Sequence, residues 1–217
     1  MEMFIKIAAS ISAYAIIGFA RFITAVRGTW FNVSPSRRKR IYFANHNSNG
    51  DFVLLWTVLP PRIRRNTRPV AAADYWLSSK LKTFIGRHVV KAVLIDRNPE
   101  TRKLDPIETM LAALDEGSSL IIFPEGQRNM TDAQMLPFKP GLFHLAENRP
   151  DVELVPVWIE NLNRVLPKGE IIPNPFACTV SFGAPISLEK GEDKQVFLKR
   201  AEQAVLGLCP SCGDNNE

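Results

Sequence analysis

Short apolar runs separated by helical patterns and polar loops restrict this chain to a sheet covered by helices on both faces. The runs are Ile41–Ala44, Val70–Ala73, Val93–Ile95, Leu120–Phe123, Leu154–Val157 and Thr179–Phe182. They are short, apolar and bounded by turn residues, so they read as strands. Between them, Asp51–Leu59 carries apolar residues at helical spacing and is stopped by Pro60-Pro61. Tyr75–Phe84 also reads as helical, with Gly86 just past its end. Asp105–Glu116 is the clearest helix, with Asp105 at the N-cap, Pro106 in the first position and Gly117 at the C-cap. A last helix is expected around Gln195–Leu208. This alternation predicts an α/β fold with a mixed, mostly parallel central sheet flanked by helices. The chain of 217 residues suits one domain, and its 46% hydrophobic and 23% charged content excludes general disorder.

The N-terminal segment stands apart. No charged residue occurs from Ile7 to Ala20, with Lys6 before and Arg21 after. That stretch reaches only about 21 Å as a helix, short of the roughly 30 Å hydrocarbon core of a bilayer. Lys6, Ser10, Tyr14, Arg21 and Thr24 recur at helical spacing as a narrow polar stripe, and Ile, Phe, Ala and Val fill the rest of the circumference. A helix so lopsided suits the headgroup boundary. The basic run Arg37-Arg38-Lys39-Arg40 follows, and each such residue contributes about 1 kcal/mol towards anionic lipid. The rival readings are a core helix and a signal peptide cleaved near Ala13-Tyr14-Ala15. Glu2 and the interrupting Lys6 oppose the signal peptide. The expected organisation is a membrane-associated helix over 1–30, a folded domain over 31–208 and a polar tail over 209–217.

The net charge of +5 and pI near 9.2 call for an anionic partner. Nucleic acid is disfavoured, because the basic runs lack interleaved aromatics and fit no recognised binding module. Cys178, Cys209 and Cys212 are an odd number, which fits a reducing compartment. Cys209 and Cys212 have the spacing of half a zinc site, but no second pair exists, so no metal is expected.

Chemistry concentrates in Asn45-His46-Asn47-Ser48-Asn49-Gly50-Asp51, directly after the first of these strands. In sheets of this kind, sites gather where loops leave strand ends. A histidine beside a carboxylate makes a general base near neutral pH, because the carboxylate fixes the tautomer and stabilises the imidazolium. The blander reading has Asp51 as a helix N-terminal carboxylate and His46 as a turn residue. No Gly-x-Ser-x-Gly elbow is present, and Cys178 lies in a strand-like stretch without a neighbouring base. Direct attack by a substrate hydroxyl on an activated acyl group is therefore the simpler mechanism. Phe123-Pro124-Glu125-Gly126-Gln127-Arg128 leaves another strand. Its glycine permits close backbone approach, and its arginine can clasp phosphate with Glu125 orienting it. Arg97, at the end of Val93–Ile95, and Lys139 are further cations that can face the same cleft, although each taken singly reads first as a solvated surface charge.

Asn45-His46-x4-Asp51, Ile95-Asp96-Arg97, Phe123-Pro124-Glu125-Gly126-x-Arg128 and Val155-Pro156-Val157 follow the order of the four motif blocks of the glycerophospholipid acyltransferases. The chain resembles the lysophosphatidic acid (1-acylglycerol-3-phosphate) acyltransferase family over roughly residues 40–160, and Phe138-Lys139-x-Gly141 adds to the likeness. The resemblance implies the glycerolipid acyltransferase fold, docked on the cytoplasmic face of the inner (plasma) membrane. It also implies an acyl donor, either acyl-CoA or acyl carrier protein, and a lysolipid acceptor, with no cofactor. His46 would take the acceptor's proton and Asp51 would orient it. Arg97, Glu125, Gly126 and Arg128 would hold the acceptor phosphate, with Lys139 as a further cation. The chain departs from the family pattern at Gln127 and Asn129, which replace two hydroxyl residues, and at Lys91, which replaces a glycine. These departures motivate an alternative acceptor, another lysolipid or an amino-acid lipid. A non-catalytic membrane-surface protein is the remaining alternative.

Overall fold

The computed structural model describes residues 2–98, 100, 102, 104–160 and 178–210. In chain order the elements are α1 (Glu2–Thr24), β1 (Arg27–Trp30), β2 (Arg40–Ala44), α2 (Asp51–Val58), α3 (Pro61–Arg64), β3 (Thr67–Ala72), α4 (Ala73–Trp76) and α5 (Lys80–Phe84). A π turn over Ile85–Val89 continues α5. Then come β4 (Val93–Ile95), α6 (Pro106–Asp115), β5 (Ser119–Ile122), α7 (Gly141–Asn148), β6 (Glu153–Glu160), β7 (Thr179–Phe182) and α8 (Lys194–Leu206).

The strands form one sheet in the order β1-β7-β6-β2-β5-β3-β4. From β6 to β4 every neighbour is parallel. β7 runs antiparallel to β6, and β1 follows β7 in parallel. The mixed, mostly parallel sheet expected from the sequence is the one observed. Because β2, β3, β4 and β5 share a direction, the loops that leave them lie along one edge of the sheet.

Both faces are buried, and the period-2 alternation of each strand divides its side chains between two cores. Tyr42, Ala44, Ile121, Val155 and Val157 face α2, represented by Leu54 and Leu55, with Leu59 just past its end, and the buried side of α1. Ile41, Phe43, Leu120, Ile122 and Leu154 face α6, α7 and α8, through Leu114, Leu142 and Phe197 among others. α6 begins as the sequence predicts: the Asp105 side chain accepts from the Ile107 N–H with Pro106 next, and Gly117 just past the end sits at φ 87°.

Helices α3 and α7 form where the sequence predicted none, and three expected segments take a different form. α1 is longer than the uncharged stretch, because Glu2 and Lys6 pair at 2.8 Å one turn apart and extend the first turns. Its 23 residues are long and apolar enough to cross a membrane by length and composition. The helix nevertheless stops at Thr24, and residues 27–30, assigned above to the helical segment, form the edge strand β1. Trp30 stacks on Phe182 at 3.8 Å, which supplies the packing that Arg-Gly-Thr lacks. Finally, the helix expected over Tyr75–Phe84 is split: Ser79 is extended and caps α5 by accepting from the Lys82 N–H. Gly86 lies inside the π turn rather than beyond a helix end.

Candidate active site

His46 follows β2 by two residues, and its position is set from several sides. Asn45, wholly buried, clips the end of β2 to β6: its amide donates to the Ile159 carbonyl at 3.0 Å, and its oxygen accepts from the Ile159 N–H at 2.8 Å. The loop then turns so that α2 opens at Asp51, whose side chain is buried. One oxygen, Oδ2, meets His46 Nδ1 at 2.9 Å and accepts the N–H groups of Asn47 at 2.7 Å and Ser48 at 2.8 Å. An oxygen already accepting two N–H groups acts as an acceptor toward the ring, so Nδ1 carries the proton and Nε2 keeps its lone pair. Nε2 has no hydrogen-bond partner among the described residues, and the His46 side chain is 20% exposed.

The loop leaving β5 supports the same histidine. Phe123 stacks on its ring at 4.3 Å. Glu125, almost fully buried, accepts the His46 N–H at 2.7 Å through one oxygen and the Leu136 N–H at 2.9 Å through the other. The Asn129 N–H donates to the His46 carbonyl at 2.7 Å. Burial pushes the Glu125 carboxyl above its ordinary pKa, and the two N–H bonds and the nearby imidazole only partly offset this. Glu125 was expected to orient Arg128; instead both of its oxygens are committed to backbone, and Arg128 makes no ion pair among the described residues. Glu125 is a tie between two loops.

Gly126 sits at φ 71°, a conformation in which a side chain is strained. A Cβ there would lie 2.8 Å from Lys139 Cδ and Nζ, so Lys139 lies directly over the glycine backbone. Arg128 and Lys139 are both exposed. Together with the open Gly126 backbone they make a positive rim beside His46, able to receive an anion. Arg97 is at the same edge, after β4, but it is not a free cation: its guanidinium pairs with Asp74, just after β3, at 2.9 Å. That contact holds the Asp74 carboxyl below its usual range. β5 and β3 separate Arg97 from the strand that leads to His46.

The departures from the family pattern also find places. Lys91 adopts φ 51°, the left-handed region where glycine is at ease, so the substitution concerns backbone before β4. Asn129 is buried, and its side chain accepts from Thr131 and donates to Ala133, inside the loop. Gln127 is exposed next to Arg128. Cys178 is a buried free thiol, with its pKa pushed up to about 11 mainly by burial, which makes it a poor nucleophile. Cys212 and the tail beyond it lie outside the described residues.

Sequence reasoning assigned no role to Asn45, and it overlooked the supporting contacts of Phe123 and Asn129. Asn45 and Phe123 stood inside the recognised motifs, but their partners are Ile159 and His46, far away in sequence.

The family model described as Acyltransferase matches residues 29–160. A 1-acyl-sn-glycerol-3-phosphate acyltransferase from Cocos nucifera is 28% identical over 165 residues, covering 74% of this chain and 50% of that protein. One of the same name from Escherichia coli strain K12 is 31% identical over 138 residues, covering 58% of this chain and 51% of the relative. The chain thus spans about half the length of the curated relatives it matches. Among solved structures, the 1-acyl-sn-glycerophosphate (LPA) acyltransferase of Thermotoga maritima superposes with a TM-score of 0.69 at 20% identity, over 93% of this chain and 80% of that one. At that identity the likeness concerns the fold.

Proposed function

Because the chain belongs to the acyltransferase family, we propose that it moves a fatty acyl group from acyl-CoA or acyl carrier protein to the free hydroxyl of lysophosphatidate, making phosphatidate at a membrane surface. One observation carries this reading: the His46 ring is held at Nδ1 by buried Asp51, and Nε2 has no hydrogen-bond partner among the described residues. The acceptor hydroxyl gives its proton to Nε2 as its oxygen attacks the thioester carbonyl. The tetrahedral intermediate then expels the thiolate, which takes the proton back from the imidazolium, leaving a new ester and a free thiol. Asp51 stabilises the transient imidazolium, and no covalent enzyme intermediate is required. Arg128 and Lys139, with the Gly126 backbone, would hold the acceptor phosphate. Arg97 would join them by exchanging Asp74 for the phosphate. Glu125 would keep this rim and His46 in register through the two backbone N–H bonds.

His46→Ala is expected to lower acyl transfer by roughly 10² to 10⁴ with unchanged circular dichroism; full activity would discard the mechanism, and the non-catalytic alternative predicts no turnover in either protein. Arg128→Ala should raise the acceptor KM with little change for the acyl donor. Gln127, exposed beside Arg128, favours one second reading: the same chemistry on a different lysolipid or an amino-acid lipid. A panel of lysolipids with labelled acyl-CoA separates the two, and preference for a phosphate-free acceptor would exclude lysophosphatidate.

A further inference from the structure

The crossover from β3 to β4 forms an arm, α4, α5 and the π turn, whose outer surface has no partner among the described residues. Its inner side is fixed. Buried Trp76 meets the ring of Phe52 edge-on at 5.6 Å, and Phe52 is the residue after Asp51. Gly86 lies against Trp76 so closely that a Cβ would stand 2.9 Å from its ring. Phe84, Ile85, Val89 and Val90 join the same core as the buried side of α1. The arm is therefore firmly attached beside the helix that carries Asp51.

Its outer side combines two properties that rarely coincide on a solvated surface. Tyr75, Leu77 and Leu81 are exposed, Leu81 at 69%. From Tyr75 to Ile95 the sequence holds Lys80, Lys82, Arg87 and Lys91 and not one carboxylate. Lys82 Nζ lies 4.1 Å from the centre of the Tyr75 ring, so charge and apolar surface are interleaved. A groove lined by Leu77, Ser79, Lys80, Thr83, Phe84 and His88 runs along this surface. Apolar side chains ringed by cations complement the anionic headgroup layer of a bilayer, into which the leucines can insert while the cations meet phosphate.

We infer that the α4–α5 arm is a second bilayer contact, distinct from α1, which seats the mouth of the site at an anionic lipid surface. The inference rests on the proposal that this chain works at a membrane. Two anchors resist rotation of the domain on the bilayer where one helix would not. The ion pair of Asp74, the second residue of α4, with Arg97 lies between the arm and the end of β4. Lipid leaving the surface at the arm meets the His46 edge of the sheet first.

The test uses the full chain on vesicles of mixed phosphatidylglycerol and phosphatidylcholine containing labelled lipid. A photoreactive p-benzoylphenylalanine is placed at Leu81, at Phe19 on α1, or at Val196 on α8. Phe19 and Val196 are exposed at 69% and 58%, and Val196 lies over the opposite face of the sheet. Lipid adducts at Leu81 and Phe19 but not at Val196 are the expected result. Adducts at Phe19 alone overturn the arm while leaving the membrane reading intact, and adducts at neither overturn both. In parallel, Lys80→Gln with Arg87→Gln should weaken binding to anionic vesicles by about fivefold per removed cation at low salt. Binding to neutral vesicles should be spared, and unchanged anionic binding also overturns the inference.

Discussion

Gly126 carries two constraints at once. Its φ of 71° is expensive for any residue with a side chain, and Lys139 occupies the space where a Cβ would go. Gly126→Ala should therefore push Lys139 off the rim and cost about 1–2 kcal/mol from the left-handed backbone alone. The expected outcome is a raised KM for the acceptor with a smaller change in kcat, because His46 is held by other groups. Steady-state kinetics with varied acceptor checks this, and an unchanged KM would remove Lys139 from the proposed phosphate site. Glu125 shows the opposite kind of constraint. It is a charged residue whose work is structural, binding one N–H from the histidine loop and one from the loop before Lys139.

Strands β2 and β6 are tied near both ends. At the site end Asn45 clips Ile159, and at the other end Arg40 donates to Glu153 at 2.7 Å, with Arg38 adding a bond at 3.3 Å. Burial alone would push the Glu153 carboxyl up, but the Arg40 hydrogen bond and charge, joined by Arg38, bring it below its ordinary 4.5. A carboxyl with a lowered folded pKa stabilises fully above its unfolded value, and that stability is lost as pH falls through the folded one. Glu153→Gln, leaving buried Arg40 a neutral partner in place of a charged one, is expected to cost about 2 kcal/mol at pH 7. The difference from the unmodified protein should shrink as pH drops below 4.5. Urea unfolding at several pH values measures it, and a gap that stays constant into acid would show that the ion pair contributes nothing.

One edge of the sheet gathers everything chemical, and one layer gathers everything suited to lipid. α1 buries Ala9, Ile17 and Ala20 and exposes Phe4, Ile7, Ile11, Phe19 and Phe22. Among the described residues its apolar side has no cover. The arm lies in the same layer, so the exposed apolar surface collects on one side of the sheet, opposite the layer of α6, α7 and α8. Ile11→Asp with Phe19→Asp should reduce vesicle flotation by at least about tenfold, since each removed side chain forfeits well over 1 kcal/mol of apolar burial. The thermal midpoint should hardly move, because both residues are already exposed. Unchanged flotation would show that α1 does not bind lipid.

What could be read along the chain was whatever depended on near neighbours. The buried strands, the α6 helix with its Asp105 and Gly117 ends, and the His46-Asp51 pair five residues apart all rest on contacts within a few positions. The positive character around Gly126 was legible too, because Arg128 belongs to the same loop. Packing settled the rest. Arg27–Trp30 is a strand only because β7 offers it an edge and Phe182 a ring. The Tyr75–Phe84 segment broke into an arm around Trp76, and Arg97 found Asp74 in α4, just past the neighbouring strand. Glu125 found the backbone of His46 across 79 residues of chain rather than the arginine beside it. Hydrogen bonds that close such long loops depend on which strands become neighbours, and that order emerges only when both faces of the sheet are buried together.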